Sequence, residues 1–197
     1  MLRDYPVLTA VPLRQGVGYA QPTQALPDIV TFEDFALQVF TDFQRVTAII
    51  TLPGDSVDEA HRRMIQRGVR LLLVVDQDRK VLGVITANEI LGEKPLQEIT
   101  QRRIRREDVL VRDIMTPQDR LEVLKMADVQ RAKVGHVVAT LQQSGRQHAI
   151  AVDIDVAGRQ TVRGVFSATQ IARQLGVTVS TGETARTFAE IEALLAR

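Results

Sequence analysis

Two eight-residue segments of the chain share a pattern of residue types that could bind a charged ligand. They read GVITANEI, at residues 83–90, and GVFSATQI, at residues 164–171. Each passes from apolar residues to a hydroxyl side chain, Thr86 or Ser167, and places an oxygen-bearing side chain three positions later, Glu89 or Gln170. At the start of a helix, the hydroxyl can help to hold an anion, and the residue one turn later can reach a hydroxyl group attached to that anion. Phosphate followed by ribose fits this spacing.

The same residues also fit a purely structural role. Thr86 and Ser167 could be helix caps that accept from free backbone N–H groups. Thr86 and Glu89 have the Thr-x-x-Glu spacing of a capping box, in which each residue satisfies a backbone N–H of the other. The sequence leaves both roles open.

The two segments belong to a longer internal repeat. Residues 55–68 align with residues 132–145 without a gap, and the alignment continues to Asp76 and Asp153. Apolar residues in the aligned segments are three and four positions apart, as on one face of a helix. They are Val57, Ala60 and Met64 in the first copy and Val134, Val137 and Leu141 in the second. Gly68 and Gly145 follow, where a helix would end.

Each copy predicts a β-α-β-β-α unit, so the expected fold class is α/β (α+β). The first copy predicts strands over 47–52, 71–75 and 81–85 and helices over 56–67 and 87–91. The second copy predicts strands over 121–124, 149–152 and 162–166 and helices over 134–144 and 168–175. A unit of about 50 residues is marginal by itself. We therefore expect the two units to pack against each other about a pseudo-twofold axis.

Three segments lie outside the repeated units. Residues 1–28 contain four prolines and predict an extended arm. The partly alternating segment FALQVFTDF, at residues 35–43, predicts a strand that bears on the first unit. At the other end, the sequence STGE fits a capping box and predicts a final helix that docks on the body or on a second subunit.

The composition is that of a globular protein without strong attraction to charged surfaces. The chain has 197 residues, 45% of them apolar, and a formal net charge of +1. No apolar run reaches the roughly 20 residues that span a bilayer, and the N-terminus lacks the pattern of a secretory signal. Cysteine is absent, which excludes disulfides and thiolate metal sites. We expect a cytoplasmic protein.

The sequence contains no recognisable catalytic set. Its three histidines, His61, His136 and His148, are scattered, and no carboxylate cluster has metal-ligand spacing. It has neither a Gly-x-Ser-x-Gly elbow nor a Walker loop. We expect a protein that is not an enzyme and that requires neither a cofactor nor a metal.

The repeated unit resembles the CBS domain, which occurs in tandem pairs also called Bateman modules. The resemblance rests on DSVDEAHRRMIQRGVRLLLVVDQDRKVLGVITANEIL, on VRDIMTP before the second copy and on the duplication. It covers roughly two-thirds of the chain, from about residue 44 to residue 176. The implied organisation is an N-terminal arm and lead-in strand at 1–43, CBS domains at 44–95 and 110–178, a linker at 96–109 and a C-terminal helix at 179–197.

The resemblance implies two clefts between the paired domains, which in many family members hold AMP, ADP, ATP or S-adenosylmethionine. The family's hydroxyl residue, here Thr86 or Ser167, usually contacts phosphate. Glu89 and Gln170 stand where the family usually has an aspartate that holds the ribose hydroxyls. Glutamate keeps the negative charge, whereas glutamine is a weaker acceptor. The first site is therefore expected to be the better preserved of the two.

Basic residues near the second strand of each unit are further candidates implied by the resemblance. Arg70 stands just before that strand and is expected to serve the first site, although it could instead form a surface ion pair, for example with Glu89. The second copy has Gln147 there, with Arg146 and His148 beside it; His148 could equally be a strand residue at the domain interface. Lys133, before the second unit's first helix, is a weaker candidate.

The leading hypothesis is a regulatory module that senses an adenosine-type ligand, forms a homodimer and acts on a separate effector protein. The alternative is a structural or protein-interaction module without nucleotide binding. Nucleic-acid binding through the arginines of the linker, Arg102, Arg103, Arg105 and Arg106, is a weaker third reading. Nearby acids would otherwise balance these arginines on a solvated surface.

Overall fold

Two four-stranded sheets covered by short helices form the body of the protein. The computed structural model describes residues 10–12, 14–15, 17 and 22–177. The strands are β1 Phe40–Asp42, β2 Ile50–Thr51, β3 Leu71–Val75, β4 Val81–Thr86, β5 Thr116–Pro117, β6 Val123–Lys125, β7 His148–Ile154 and β8 Gln160–Ser167. The helices are α1 Val57–Arg67, α2 Ala87–Leu91, α3 Lys94–Arg102, α4 Val111–Ile114, α5 Met126–Val129, α6 Val134–Ser144 and α7 Ala168–Gln174. None of the helices in the described residues has the length and apolar character needed to cross a bilayer.

The β-α-β-β-α order predicted for each copy is confirmed. The first unit runs β2-α1-β3-β4-α2, and the second runs β6-α5-α6-β7-β8-α7, in which the short α5 is an addition to the predicted order. The helix ends follow from local sequence. Ser56 caps α1 by accepting from the backbone N–H of Glu59 at 3.2 Å. Gly68 and Gly145 end α1 and α6 in the left-handed conformation, with φ of 64° and 63°, which glycine adopts without steric cost.

The apolar helical faces predicted from the repeat are buried against the sheets. In the first unit, Val57, Ala60 and Met64 pack with residues of β3 and β4, and Met64 is only 2% exposed. In the second unit, the matching residues of α6 belong to a cluster that also contains Phe40 and Phe166, whose ring centroids are 4.8 Å apart. Each unit thus has a helix-on-sheet core of its own.

A third apolar cluster joins the two units through their sheets. Leu71 and Leu73 of β3 and Val84 of β4 meet Ile150 of β7, and Val81 and Val162 pack at the edge of this contact. The continuous apolar character of β3 reflects this position, because all five of its residues are buried between α1 on one side and the other sheet on the opposite side. The sheets are the surfaces through which the units associate.

The fourth strand of each sheet comes from the segment that precedes the other unit. β1 precedes the first unit but pairs antiparallel with β8 of the second, and β5 precedes the second unit but pairs antiparallel with β4 of the first. The expectation that residues 35–43 bear on the first unit is therefore wrong. An alternating pattern shows that one face of a strand is buried, but it does not show which sheet edge the strand completes.

The strand exchange explains the glycine that opens both repeated segments. A Cβ on Gly83 would clash with the carbonyl oxygen of Thr116, and one on Gly164 would clash with the carbonyl oxygen of Thr41 and the ring of Phe40. In each sheet, the backbone of the exchanged edge strand passes so close to its neighbour that only glycine leaves room for it. The glycine is repeated because each unit must leave space for the backbone of an exchanged strand at the same position.

An ion pair fastens the exchanged strand β1 to the second unit. Arg163 donates from Nε and Nη2 to the two carboxylate oxygens of Asp42, at 2.8 and 2.9 Å, and from Nη1 to Asp153 at 3.2 Å. The hydrogen bonds from Arg163 hold the pKa of Asp42 below its ordinary value. Asp42 is 7% exposed, so the pair is shielded from much of the solvent.

Three of the four arginines of the linker are paired with acids. Arg102 pairs with Glu98 and Asp113, Arg105 with Glu107 and Asp108, and Arg106 with Asp58. The linker itself contains α3, which the sequence did not predict. The predicted C-terminal helix over 179–197 and most of the N-terminal arm lie outside the described residues.

Gly164→Ala is expected to lower the free energy of unfolding by about 3 kcal/mol, because the added methyl group must displace the backbone of β1. Urea unfolding followed by circular dichroism measures the change. Gly54→Ala is the control, since a Cβ there meets no atom within 4 Å. Equal stability of the two variants would contradict the account of the strand exchange.

Asp42→Asn is expected to lower the free energy of unfolding by about 2 kcal/mol at pH 7, because it removes a charged acceptor of Arg163. The lowered pKa of Asp42 means that its contribution is present above the unfolded-state value and is lost as the pH falls through the folded-state value. The difference between wild type and variant should therefore shrink below about pH 4. Asp153→Asn, whose side chain is 44% exposed, should have a smaller effect. A difference for Asp42→Asn that persists at low pH would argue against this role.

Candidate functional site

Two clefts lie between the units, and each is built from parts of both. The first cleft brings the β4–α2 turn of the first unit against the junction of α6 and β7 in the second. The second cleft brings the β8–α7 turn of the second unit against the junction of α1 and β3 in the first. Each unit supplies its turn to one cleft and its helix–strand junction to the other, as the approximate twofold relation between the units requires. The cavities measure about 220 and about 470 Å³ respectively.

In the first cleft, Thr86 and Glu89 form the capping box that their spacing predicts. The Thr86 hydroxyl accepts from the backbone N–H of Glu89 at 3.3 Å. Oε2 of Glu89 accepts from the backbone N–H and the hydroxyl of Thr86, at 2.9 and 3.0 Å. The structural role that the sequence left open is thus realised at this turn.

The other oxygen of the Glu89 carboxylate is also engaged. Oε1 accepts from Nζ of Lys94 at 2.7 Å and from the hydroxyl of Thr116, on the exchanged strand β5, at 2.6 Å. On the opposite wall, Arg146 is paired with Glu122 at 3.2 Å. The polar groups of the first cleft therefore bond to one another, and its volume is below the 300 Å³ or more of typical ligand pockets.

The second cleft has the same plan with weaker internal bonding. Ser167 accepts from the backbone N–H of Gln170 at 3.5 Å, the limit of a hydrogen bond. Oε1 of Gln170 accepts from the hydroxyl of Thr41 on β1 at 3.3 Å, and its Nε2 donates to Oε1 of Gln174 at 3.3 Å. Thr41 and Thr116 thus occupy matching places on the two exchanged strands. The longer distances leave the Ser167 hydroxyl available to a ligand.

Three arginines give the second cleft a positive charge without a compensating acid. Arg67, Arg70 and Arg173 line it, and no carboxylate is among the described residues of its wall. Arg70 donates to Oδ1 of Asn88 at 3.0 Å, whereas its Nε is buried without a hydrogen-bond partner. Within the described part of the chain, Arg67 and Arg173 form no ion pair. Guanidinium groups that are not paired with a carboxylate suit a phosphate, because a phosphate can accept two parallel hydrogen bonds from a guanidinium group.

His148 stands in the wall that the two clefts share. It lines both cavities, and its backbone pairs with that of Ser167. Burial, and secondly the nearby charge of Arg70, lower the pKa of His148 to about 4. The imidazole is therefore neutral near pH 7, so one ring nitrogen can donate and the other can accept a hydrogen bond.

The structure separates some of the residues that the sequence grouped together. Arg70 lines the second cleft with Ser167 and not, as expected, the first cleft with Thr86. The reason is that the segment between α1 and β3, which contains Arg70, borders the same cavity as the β8–α7 turn of the other unit. Lys133 lies outside both clefts and forms an ion pair with Glu33.

Two arginines of the second cleft were not singled out from the sequence. Arg67 is the last residue of α1, immediately before the helix-ending Gly68. Arg173 follows Gln170 by three positions on α7 and so lies on the same helical face. The position of Arg67 before Gly68 and that of Arg173 after Gln170 can be read from the sequence. They indicate a shared site only when each cleft is known to be built from both units.

Comparison with known proteins identifies the first unit. A family model described as CBS domain matches residues 36–95. No curated protein matches the chain. The structure of an uncharacterized conserved protein from Pyrococcus horikoshii shares 19% identity, covers 78% of this chain and 100% of its own, and superposes with a TM-score of 0.53.

A second solved structure, the CBS-pair protein CBSX2 from Arabidopsis thaliana, shares 20% identity over 71% of this chain and 92% of its own, with a TM-score of 0.48. CBSX2 in complex with AMP has the same identity and covers 71% of this chain and 94% of its own, with a TM-score of 0.49. The Pyrococcus match shows a shared fold. The family match covers residues 36–95, and the unit that follows repeats the topology of the first.

Proposed function

We propose that the chain is a regulatory module that binds an adenosine-type nucleotide in the second cleft. The observation that carries this proposal is the acid-free set of Arg67, Arg70 and Arg173 beside the hydroxyl of Ser167 at the start of α7. The cleft has a volume of about 470 Å³, within the range of small-molecule sites. The phosphate groups would lie among the arginines and Ser167.

The remaining walls of the second cleft suit the nucleoside part of the ligand. Val46, Ile49 and Val165 supply apolar surface on which an adenine ring can pack. The amide of Gln170 and the neutral imidazole of His148 supply hydrogen-bond donors and acceptors without adding a negative charge near the phosphates. Gln170 thus replaces the acidic ribose partner usual in the family without repelling a polyanion.

The first cleft has a different part in the proposal. Because both oxygens of Glu89 are occupied by Thr86, Lys94 and Thr116, this cleft joins the two units without binding a nucleotide. Thr86 and Glu89 then serve as structural residues. If neither cleft binds a nucleotide, the chain is a structural or protein-interaction module, and the closed first cleft is the observation that favours this second candidate.

The regulatory output would be a change in the arrangement of the two units, since a ligand that contacts both favours the arrangement it binds best. We propose that the module is not an enzyme, acts in the cytoplasm and forms a homodimer that transmits the change to a separate effector protein. Exposed apolar side chains on the helices of the first unit support an interface there. They are Ile65 at 68%, Leu91 at 63% and Leu96 at 64% exposure.

Arg70→Ala is expected to weaken ATP binding by about ten- to a hundredfold, because it removes charge-assisted hydrogen bonds to phosphate. Isothermal titration calorimetry measures the affinity. Arg146→Ala, which removes an arginine from the first cleft, is the matched control and should leave the affinity unchanged. Absence of any nucleotide binding to the wild type, checked by thermal unfolding, would favour the interaction-module alternative. Bound ATP at 100 times its dissociation constant should add roughly 2.7 kcal/mol of stability.

The affinity is expected to fall in the order ATP, ADP, AMP and S-adenosylmethionine, because each lost phosphate reduces the attraction to the three arginines and the sulfonium carries a positive charge. Binding of ATP should weaken more steeply with added salt than binding of AMP. The same calorimetric series at two salt concentrations measures both effects. Equal affinity for S-adenosylmethionine and ATP would show that the arginines do not select the ligand.

A further inference from the structure

An N-terminal segment outside the matched CBS domain is held against the second unit mainly by hydrogen bonds. This segment, residues 22–30, is called the strap. Of its side chains only Val30 is buried, at 4% exposure, while Gln24 and Leu26 are half-buried. With so little apolar burial, the position of the strap depends on a few polar contacts. Two glutamines, Gln24 and Gln174, provide them.

Gln24 fastens the strap to the free edge of β1. Its Nε2 donates to the carbonyl oxygen of Phe40, and its Oε1 accepts from the backbone N–H of Asp42, both at 2.8 Å. The side-chain amide therefore pairs with β1 as another strand would. Between these two residues of β1 lies Thr41, which lines the second cleft and whose hydroxyl donates to Oε1 of Gln170.

Gln174, the last residue of α7, fastens the other end of the strap. Its Nε2 donates to the carbonyl oxygens of Pro27 at 2.6 Å and Gln38 at 3.1 Å. Its backbone oxygen accepts from the N–H of Val30 at 2.9 Å. Gln174 is only 6% exposed, so its remaining side-chain acceptor, Oε1, depends on the hydrogen bond from Gln170.

A continuous chain of hydrogen bonds thus runs from the second cleft to the strap, through Thr41, Gln170, Gln174 and Pro27. Gln170 is held on both sides of its amide, by Thr41 at the oxygen and by Gln174 at the nitrogen. Nε2 of Gln170 has two N–H donors, and its bond to Gln174 uses one of them at 3.3 Å. A ligand phosphate or ribose oxygen that accepts from the other in the cleft draws the amide toward itself and away from Gln174. The buried Oε1 of Gln174 then loses its donor, which is costly inside a protein.

We propose that the strap is an autoinhibitory segment, which competes with an anionic ligand in the second cleft for the side-chain amide of Gln170. The ligand half of this proposal rests on the proposed function. Because coupling between two binding events is reciprocal, ligand binding loosens the strap and a bound strap weakens the ligand. The second cleft therefore reports its occupancy through the N-terminal segment as well as through the arrangement of the units.

The link between cleft and strap is tested without ligand by hydrogen–deuterium exchange. Gln170→Leu should raise exchange at the amides of Val30 and Asp42 by roughly five- to tenfold, since Gln174 loses its donor and the strap its anchor. Thr169→Val is the matched control, because Thr169 lines the same cleft but its side-chain hydroxyl makes no hydrogen bond to the described residues. Unchanged exchange in Gln170→Leu, with unchanged circular dichroism, overturns the proposal whether or not a nucleotide binds.

The competition is tested with ATP as the probe. Gln24→Leu, which removes the anchor of the strap on β1, should raise the affinity for ATP about fivefold. Thr23→Val, an exposed neighbour on the strap, should not change it. In the wild type, ATP should speed exchange at Val30 and Asp42. If ATP binds but neither effect is seen, the competition is wrong while the proposed function stands; if ATP does not bind the wild type, the proposed function fails and Gln170→Leu alone decides the link to the strap.

Discussion

The close approach of the two exchanged strands to their neighbours is the constraint on which both the fold and the clefts depend. β5 pairs with β4 beside Gly83, and β1 pairs with β8 beside Gly164, at positions where any side chain would collide with a backbone carbonyl. The same pairing brings Thr116 and Thr41 to the turns that carry Glu89 and Gln170. The sheet edge that completes each unit therefore also supplies a wall of its cleft.

A change of one residue type gives the two clefts different chemistry on the same scaffold. Glu89 carries a charge that attracts the ammonium of Lys94 and the hydroxyl of Thr116, so Oε1 of its carboxylate is already bonded within the protein. Gln170 carries no charge, and no described carboxylate stands near the arginines of the second cleft. The absence of a carboxylate at this position preserves the positive potential of the second cleft. The tandem repeat thus carries two clefts of different charge.

The sequence predicted the local structure well because local structure follows from local patterns. The helical spacing of Val57, Ala60 and Met64 and the glycines after each helix determined the elements of both units. It also offered capping as one of two roles for Thr86, and the structure shows the capping box. It did not predict which unit β1 completes or which cleft Arg70 lines, because both depend on how the units are placed relative to each other. No spacing within one copy encodes that placement.

The roles of Gln24 and Gln174 were equally hidden from the sequence. A glutamine in a proline-containing arm and another at the end of a helix are unremarkable by type. They acquire a role only because the arm folds back along β1 and ends beside α7. Contacts of this kind become visible only in three dimensions.

The strand exchange also has a consequence for biosynthesis. β1 is synthesised well before its partner β8, because Asp42 and Arg163 are 121 positions apart. Until then, β1 presents an unpaired edge with apolar residues, the kind of surface that associates with other nascent chains or recruits a chaperone. The first unit cannot be completed early either, since β5 must arrive before its sheet closes. Neither unit completes its sheet without the strand that precedes the other unit, so the two units complete their folding together.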